Sequence, residues 1–338
     1  MVSPLALSPL LLAGAGVVAE RVARVRAANR YPVPGDLQNV GGHRIHYQIY
    51  GAHHLERDAA APVVLLEADT ADWSSHWGSL PSELGQTCTV IAYDRAGLGW
   101  SGPGPNPRDA DSLAKELHQL LIQIAPRRRA LLVGHGLGTW IARMYAHRYP
   151  FETAGLVLLD GEHEGFADLA RRKGLPSNDA SRLFLRLLML ANGLGLCRAF
   201  GMALTVPQVP DSGLSDRTKL AMIQRGFAPA TLRTILAEQD AKAASREQVA
   251  ALKDHFEFPV RILAAGRSTL PEQAPKGFPT DEYNELYAEM QRKLTSLSGD
   301  ATFTLVDQGH HYLALGAGDW VKDAISDALD ACSRMPVA

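Results

Sequence analysis

The chain has 338 residues, 46% of them hydrophobic and 21% charged, with a formal net charge of −2. That composition suits a globular chain with a large core, and the near-neutral balance gives no electrostatic footing for nucleic acid. The three cysteines, Cys88, Cys197 and Cys332, are too few and too widely spaced for a disulfide framework or a zinc site. They read as core fillers in a reducing compartment.

From the N-terminus, Val2 to Ala19 carries no charge and is rich in Leu, Val and Ala, at the short edge of a membrane span. Pro4, Pro9, Gly14 and Gly16 interrupt the run, and Arg21, Arg24, Arg26 and Arg30 follow it. Three readings stand: a signal anchor holding the protein on the cytoplasmic side of a membrane, a cleaved signal, or a helix packed on a cytoplasmic domain. Tyr31-Pro-Val-Pro-Gly35 reads as a stiff linker. Leu37–Val40 and Arg44–Tyr50 then flank Gly41-Gly42 as a hairpin.

Short apolar runs follow: Val63–Leu66, Val90–Tyr93, Leu131–Val133, Leu156–Leu159, Val260–Ala264 and Phe303–Val306. Each predicts a strand buried on both faces. Between them, Leu113, Leu117, Leu121 and Ile124 recur at helical spacing, as do Ile141 and Tyr145, then Val321, Ile325 and Leu329. This alternation predicts an α/β architecture: a mostly parallel sheet of about eight strands with helices on both faces.

Between Asp160 and Phe258 no strand is expected. Ser177, Ser215 and Ser245 each precede a helical run, and Ser245 stands three residues before Gln248, the spacing of a capping box. The segment therefore reads as a helical cap inserted into the sheet domain. The greasy stretch from Arg182 to Phe200 either lines a pocket for an apolar substrate or packs on its neighbours. The expected organisation is an apolar segment (1–30), a sheet domain (31–160 and 258–338) and a cap (161–257).

Leu131-Leu-Val-Gly-His-Gly-Leu-Gly138 ends a buried run and opens a helix. It has the frame of the G-x-S-x-G nucleophile elbow, with Gly134 and Gly138 in the glycine places and Gly136 in the place of serine. Glycine carries no hydroxyl, so no acyl-enzyme ester can form there.

With this elbow, with Tyr93-Asp-Arg-Ala-Gly-Leu-Gly-Trp-Ser101, Leu156-Val-Leu-Leu-Asp160 and Gly309-His-His-Tyr-Leu313, the chain resembles bacterial α/β-hydrolases that carry an N-terminal membrane segment. The resemblance implies an α/β-hydrolase fold with a helical cap. It places His311 at the catalytic histidine, with His310 as runner-up, and Asp160 as its acid, with Glu162 and Glu164 as close alternatives. The loop after the first parallel strand departs from the family's glycine-rich turn and reads Glu67-Ala-Asp-Thr-Ala-Asp-Trp73. A carboxylate at Asp69 would repel a developing oxyanion, and could instead bind a substrate hydroxyl or amine. Ala68, Thr70, Trp73, His135 and Leu137 are expected around the pocket, with His76 and Trp77 at its mouth. Asp94 and Arg95 are expected to tie down a turn through one mutual network.

Two functions fit these residues. One is His/Asp general-base chemistry, or hydrolysis through an activated water, on a small apolar substrate without a covalent serine intermediate. The other is a pseudoenzyme that binds a ligand or serves as a scaffold. Neither calls for a cofactor or a metal. The partner is a small molecule, with membrane attachment through residues 2–19 if the anchor reading holds.

Overall fold

The computed structural model describes residues 4–58, 60–175, 182–200, 213–253, 255–272 and 274–334, with side chains described from residue 11 onward. Helix α1 (Pro4–Arg30) leads into the hairpin β1 (Asp36–Val40) and β2 (His43–Tyr50). The short α2 (His54–Arg57) precedes β3 (Val63–Glu67), α3 (Leu80–Leu84), β4 (Val90–Tyr93) and α4 (Ala110–Ile124). Next come β5 (Ala130–His135), α5 (Leu137–Arg148) and β6 (Thr153–Leu159). In the following interval the described residues form α6 (Phe166–Arg172), α7 (Arg182–Gly193), α8 (Leu196–Ala199), α9 (Asp216–Gly226) and α10 (Pro229–Ala250). The chain then returns through β7 (Val260–Arg267), α11 (Thr280–Arg292), β8 (Ala301–His310), α12 (Leu313–Gly316) and α13 (Gly318–Arg334).

The eight strands form one sheet in the order β1-β2-β4-β3-β5-β6-β7-β8. The β1–β2 and β2–β4 pairs are antiparallel, and every pair from β4 to β8 is parallel. Alternate residues of the central strands feed two cores. Leu65, Leu132 and Leu156 pack with Leu117 of α4 and Ile141 of α5. Leu66, Val133 and Val157 pack on the other face with Val321 and Ile325 of α13. Both faces are thus covered, as parallel strands require.

The structure departs from the sequence expectations in several places. Phe303–Val306 is not buried on both faces: β8 is an edge strand, and of these four residues only Val306 is buried. The stiff segment Tyr31–Gly35 is anchored at its start, where the Tyr31 carbonyl accepts hydrogen bonds from Trp100 Nε1 and Arg225 Nη2. Ser215 does cap α9 by accepting the Thr218 amide, whereas Ser177 lies outside the described residues. Ser245 and Gln248 begin no helix, since both sit inside α10. From there they cap a different helix: Ser245 Oγ accepts the Ala110 amide and Gln248 Oε1 accepts the Asp111 amide at the start of α4. The orphan amides of a helix start were met across space rather than along the chain.

The apolar stretch of α7 also faces elsewhere than a pocket. Leu185 and Leu188 point inward, but Leu183, Phe184, Leu187 and Leu190 are exposed. Among the described residues no helix is long and apolar enough to cross a membrane. Residues 2 and 3 of the expected anchor, and the side chains up to residue 10, lie outside the described set.

Candidate active site

The site forms where β3, β5, β6 and β8 end at the same edge of the sheet. Between β5 and α5 the chain turns sharply at Gly136, with φ +54° and ψ −118°, a left-handed conformation that strains any side chain. Close packing demands the flanking glycines. A Cβ on Gly134 would lie 2.5 Å from the Gly138 carbonyl oxygen, and one on Gly138 would lie 2.2 Å from the Glu67 carbonyl oxygen.

The space above Gly136 is filled. A Cβ built there would stand 2.0 Å from Cγ of Asp69. Asp69 follows β3 in a tight turn closed by the Asp72 amide on the Asp69 carbonyl, at 3.1 Å. Arg95 holds the turn from behind, donating Nη1 to the Ala68 carbonyl at 2.6 Å and Nη2 to the Asp69 carbonyl at 2.7 Å. Arg95 is itself fixed by the buried carboxylates of Glu67 and Glu238. With its backbone held this way, Asp69 turns its side chain over Gly136. Oδ1 accepts the Leu137 amide at 2.5 Å, and Oδ2 lies 3.0 Å from Nε2 of His311.

His311 follows β8 and faces a second carboxylate. Its Nδ1 lies 2.7 Å from Oδ2 of Asp160, at the end of β6. Asp160 is fully buried and also accepts the Ala265 amide, Gln291 Nε2 and Ser268 Oγ. A carboxylate on each ring nitrogen leaves His311 with no acceptor role, so both nitrogens carry hydrogen and the ring is an imidazolium.

The electrostatics follow from this triplet. Burial alone would lower the His311 pKa, but hydrogen bonds and charge from Asp160 and Asp69 raise it well above the ordinary value. Burial alone would raise the Asp69 carboxyl, but its hydrogen bond to His311, the His311 charge and the Leu137 amide hold it far below the usual carboxylate range. Asp160 is lowered too, by His311, Ser268 and Gln291 against its own burial. His135 moves the other way. Burial and the His311 charge depress it to about 4, so it is neutral and donates Nε2–H to the His311 carbonyl at 2.8 Å. The site rests as carboxylate–imidazolium–carboxylate, with the Asp69 carboxylate over the elbow.

The cavity above this triplet measures about 390 Å³. Asp69, Gly136, Leu137 and His311 form its floor, and Glu162, Lys242, Ser268, Tyr283 and Tyr287 contribute polar walls. Among the described residues no group of three His, Cys, Asp or Glu side chains is placed to hold a metal ion.

Residues 52–324 match the model of the Alpha/beta hydrolase family. The chain belongs to the alpha/beta hydrolase family. The protein YqjL of Bacillus subtilis (strain 168) is 32% identical over 117 residues, which are 34% of this chain and 46% of YqjL. The chain thus spans less than half the length of this curated relative. Among solved structures, the epoxide hydrolase CorEH superposes with a TM-score of 0.61 at 16% identity, over 87% of this chain and 98% of that one. An esterase from Thermogutta terrifontis superposes with a TM-score of 0.60 at 17% identity, over 88% and 99%. Likeness at that identity speaks for the fold alone.

In this alpha/beta hydrolase the structure brings His311, Asp160, Gly136 and Asp69 together. Thr70, Leu137, Glu162 and His310 line the same cavity. Ala68, Trp73 and His135 are buried and do not line it, because Arg95 draws the loop carbonyls inward and Trp73 packs into the core beneath the inserted helices. His76 and Trp77 are likewise buried. Glu162 and Glu164 do not approach His311: Glu162 pairs with Lys242 at 3.0 Å and Glu164 with Arg143 at 2.7 Å. Asp94 and Arg95 serve separate networks, since Asp94 bonds His46, the Ser74 amide and the Trp100 amide. Sequence reasoning missed Arg95 and Glu238 as the clamp behind Asp69, and Gln291 as a donor to Asp160. The Glu238 and Gln291 contacts span 143 and 131 positions and left no local signal.

Proposed function

We propose that this protein is a hydrolase that works with an aspartate nucleophile, Asp69, in the space that a serine side chain occupies in other members of the fold. The observation that carries the reading is the Asp69 carboxylate seated over Gly136, between the Leu137 amide and His311. Gly136 and Asp69 are a matched pair, since the carboxylate fits only because the elbow residue has no side chain. Residues 161–257 serve as the cap over the site.

The charge state selects the chemistry. An imidazolium held well above its ordinary pKa is a proton donor at rest, not the general base expected of the sequence. A carboxylate of very low proton affinity is a poor base, yet it remains a nucleophile towards an electrophilic carbon. The substrate class is therefore a small polar molecule with a strained or activated carbon–oxygen bond, such as an epoxide. Asp69 Oδ2 attacks the carbon, the C–O bond breaks, and the alkoxide oxygen takes the Nε2 proton of His311. Asp69 is now a neutral ester and His311 a neutral imidazole paired only with Asp160. The imidazole removes a proton from water, hydroxide adds to the ester carbonyl, and collapse releases a diol and the Asp69 carboxylate. The cycle ends with His311 protonated, as it began. Polar walls, including Tyr283, Tyr287 and the Glu162–Lys242 pair, favour a polar substrate over the apolar one expected from the sequence. The neighbour CorEH is named an epoxide hydrolase, and the carboxylate in the slot supports that chemistry over an esterase's.

The test is reaction with phenyl glycidyl ether followed by peptide mapping. In His311→Gln the side-chain amide can still hydrogen-bond the departing oxygen but cannot act as the base of the second step, so the first step slows, the second stops, and a single ester adduct should accumulate on Asp69. Absence of any adduct on Asp69 in both wild type and variant would defeat the nucleophile role. A second reading, a ligand-binding pseudoenzyme, draws on one observation: the Leu137 amide and His311 Nε2 are both already occupied by Asp69. It expects saturable ligand binding that leaves Asp69 unmodified.

A further inference from the structure

Two carboxylates, Asp69 and Glu162, and two cations, His311 and Lys242, line the cavity, and they stand in pairs. Asp69 and His311, 3.0 Å apart, carry the chemistry proposed above. Glu162 and Lys242 form the second pair, also at 3.0 Å, and the reaction gives them nothing to do. A partly buried ion pair adds little net stability, because desolvation offsets most of its attraction. Its place in the cavity wall is therefore the feature to explain.

Both partners are anchored in the frame. Glu162 stands three residues beyond β6, and its carbonyl accepts Nε1 of the buried Trp140 on α5 at 2.6 Å. Lys242 stands on α10 one turn after Glu238, whose carboxylate oxygens bond Nε and Nη2 of Arg95 at 2.9 and 3.0 Å. The pair thus bridges the loop after β6 and the long helix α10, with its two charges side by side in the wall. Glu162 Oε2 faces Lys242, whereas Oε1 accepts no hydrogen bond among the described residues. An ionised carboxylate can accept from more than one donor.

We propose that the Glu162–Lys242 pair reads a second group on the substrate, and that this group is neutral with a donor and an acceptor side by side: a primary amide or a hydroxyl. The inference rests on the epoxide reading only for the reacting end of the molecule. A balanced pair answers such a group twice, since Lys242 donates to its acceptor and Glu162 accepts from its donor. A carboxylate in the same place would meet Glu162, and an ammonium would meet Lys242, at like charge. Either ion would have to break the pair and leave one partly buried charge unanswered. The wall therefore selects by exclusion as well as by attraction. The substrate class is a small neutral epoxide bearing an amide or a hydroxyl.

The test is the order of affinity for three diols, glyceramide, glycerate and aminopropanediol, measured by ligand-observed NMR near neutrality. They are the hydrolysis products of glycidamide, glycidate and glycidylamine, and their binding does not need Asp69 to react. Wild type should bind glyceramide about tenfold or more tighter than either ion. Glu162→Gln leaves Lys242 unanswered and should put glycerate first. Lys242→Met leaves Glu162 unanswered and should put aminopropanediol first. A general loosening of the fold would weaken all three alike, so the opposite changes of order are what read the pair. Wild-type preference for either ion, no measurable binding of glyceramide, or an unchanged order in either folded variant would overturn the proposal. Failure of Asp69 to form an adduct would instead defeat the nucleophile reading and leave this order as expected.

Discussion

The two sides of the site are built in different ways. On one side, His311 and Asp160 stand at the ends of β8 and β6 in the histidine–acid arrangement that the sequence loops imply, 2.7 Å apart. On the other, the loops after β3 and β5 fit into each other. The elbow has no side chain, and a carboxylate from the adjacent loop fills the gap. A decayed site would leave the vacated space unclaimed. Here it holds an ionised group within hydrogen-bonding distance of the histidine, clamped from behind by Arg95 and two buried glutamates. The difference teaches that the space above an elbow glycine can be filled by a side chain from a loop far away in the chain.

Breaking the Asp69 side should have the largest effect. Asp69→Ala should lower turnover of a glycidyl ether by about 10⁴-fold or more, as expected for loss of a nucleophile. A rate within tenfold of wild type would remove Asp69 from the mechanism. Breaking the other side with His311→Gln should cost on the order of 10²–10⁴ in steady-state turnover while the first-step adduct still forms. Equal loss of both steps would show that His311 does not divide its roles as proposed.

The two sides can also be exchanged. Gly136→Ser places its Cβ against Asp69 and should destabilise the fold by roughly 1–3 kcal/mol, without reaction with a fluorophosphonate. Joining it with Asp69→Gly removes the obstruction and should bring fluorophosphonate labelling back. Labelling of the single variant would show that Asp69 does not hold the space.

The pH profile sharpens the comparison. The first step needs the Asp69 carboxylate and is fastest with the His311 imidazolium. Asp69 is depressed and His311 raised, so both forms persist through neutrality. Adduct formation should therefore be flat from about pH 6 to about pH 8 and decline only above, as the raised His311 loses its proton. The same sign holds for stability. A histidine raised on folding stabilises most below its unfolded pKa, and that contribution is lost as pH rises through the folded value. Asp69→Asn should lose part of this high-pH limb. The smallest effect expected is structural: Ser245→Ala should cost about 1 kcal/mol by freeing the Ala110 amide at the start of α4, measured by denaturant unfolding.

The sheet was legible because its information is local. Val63–Leu66 or Leu156–Leu159 cannot be exposed on either face, and Gly134, Gly136 and Gly138 stand at the recognisable spacing of one tight turn. His311 and Asp160 were legible from the loops around them. What escaped was information carried across space. Asp69 was visible as a repulsive charge in a loop, but its seat over Gly136 depends on a contact that spans 68 positions of the chain. Ser245 and Gln248 had the right spacing for a cap, and cap α4 rather than their own helix. The apolar face of α7 read as pocket lining or as a packing surface, because periodicity shows that a stripe exists, not which side meets the protein.

Nitrogen NMR of the His311 ring tests the central claim most directly. The account predicts that at about pH 8 both ring nitrogens carry protons in the resting protein, and that Asp69→Asn returns the ring to neutrality at that pH. A neutral ring in the wild type under those conditions, unchanged by the substitution, would contradict it.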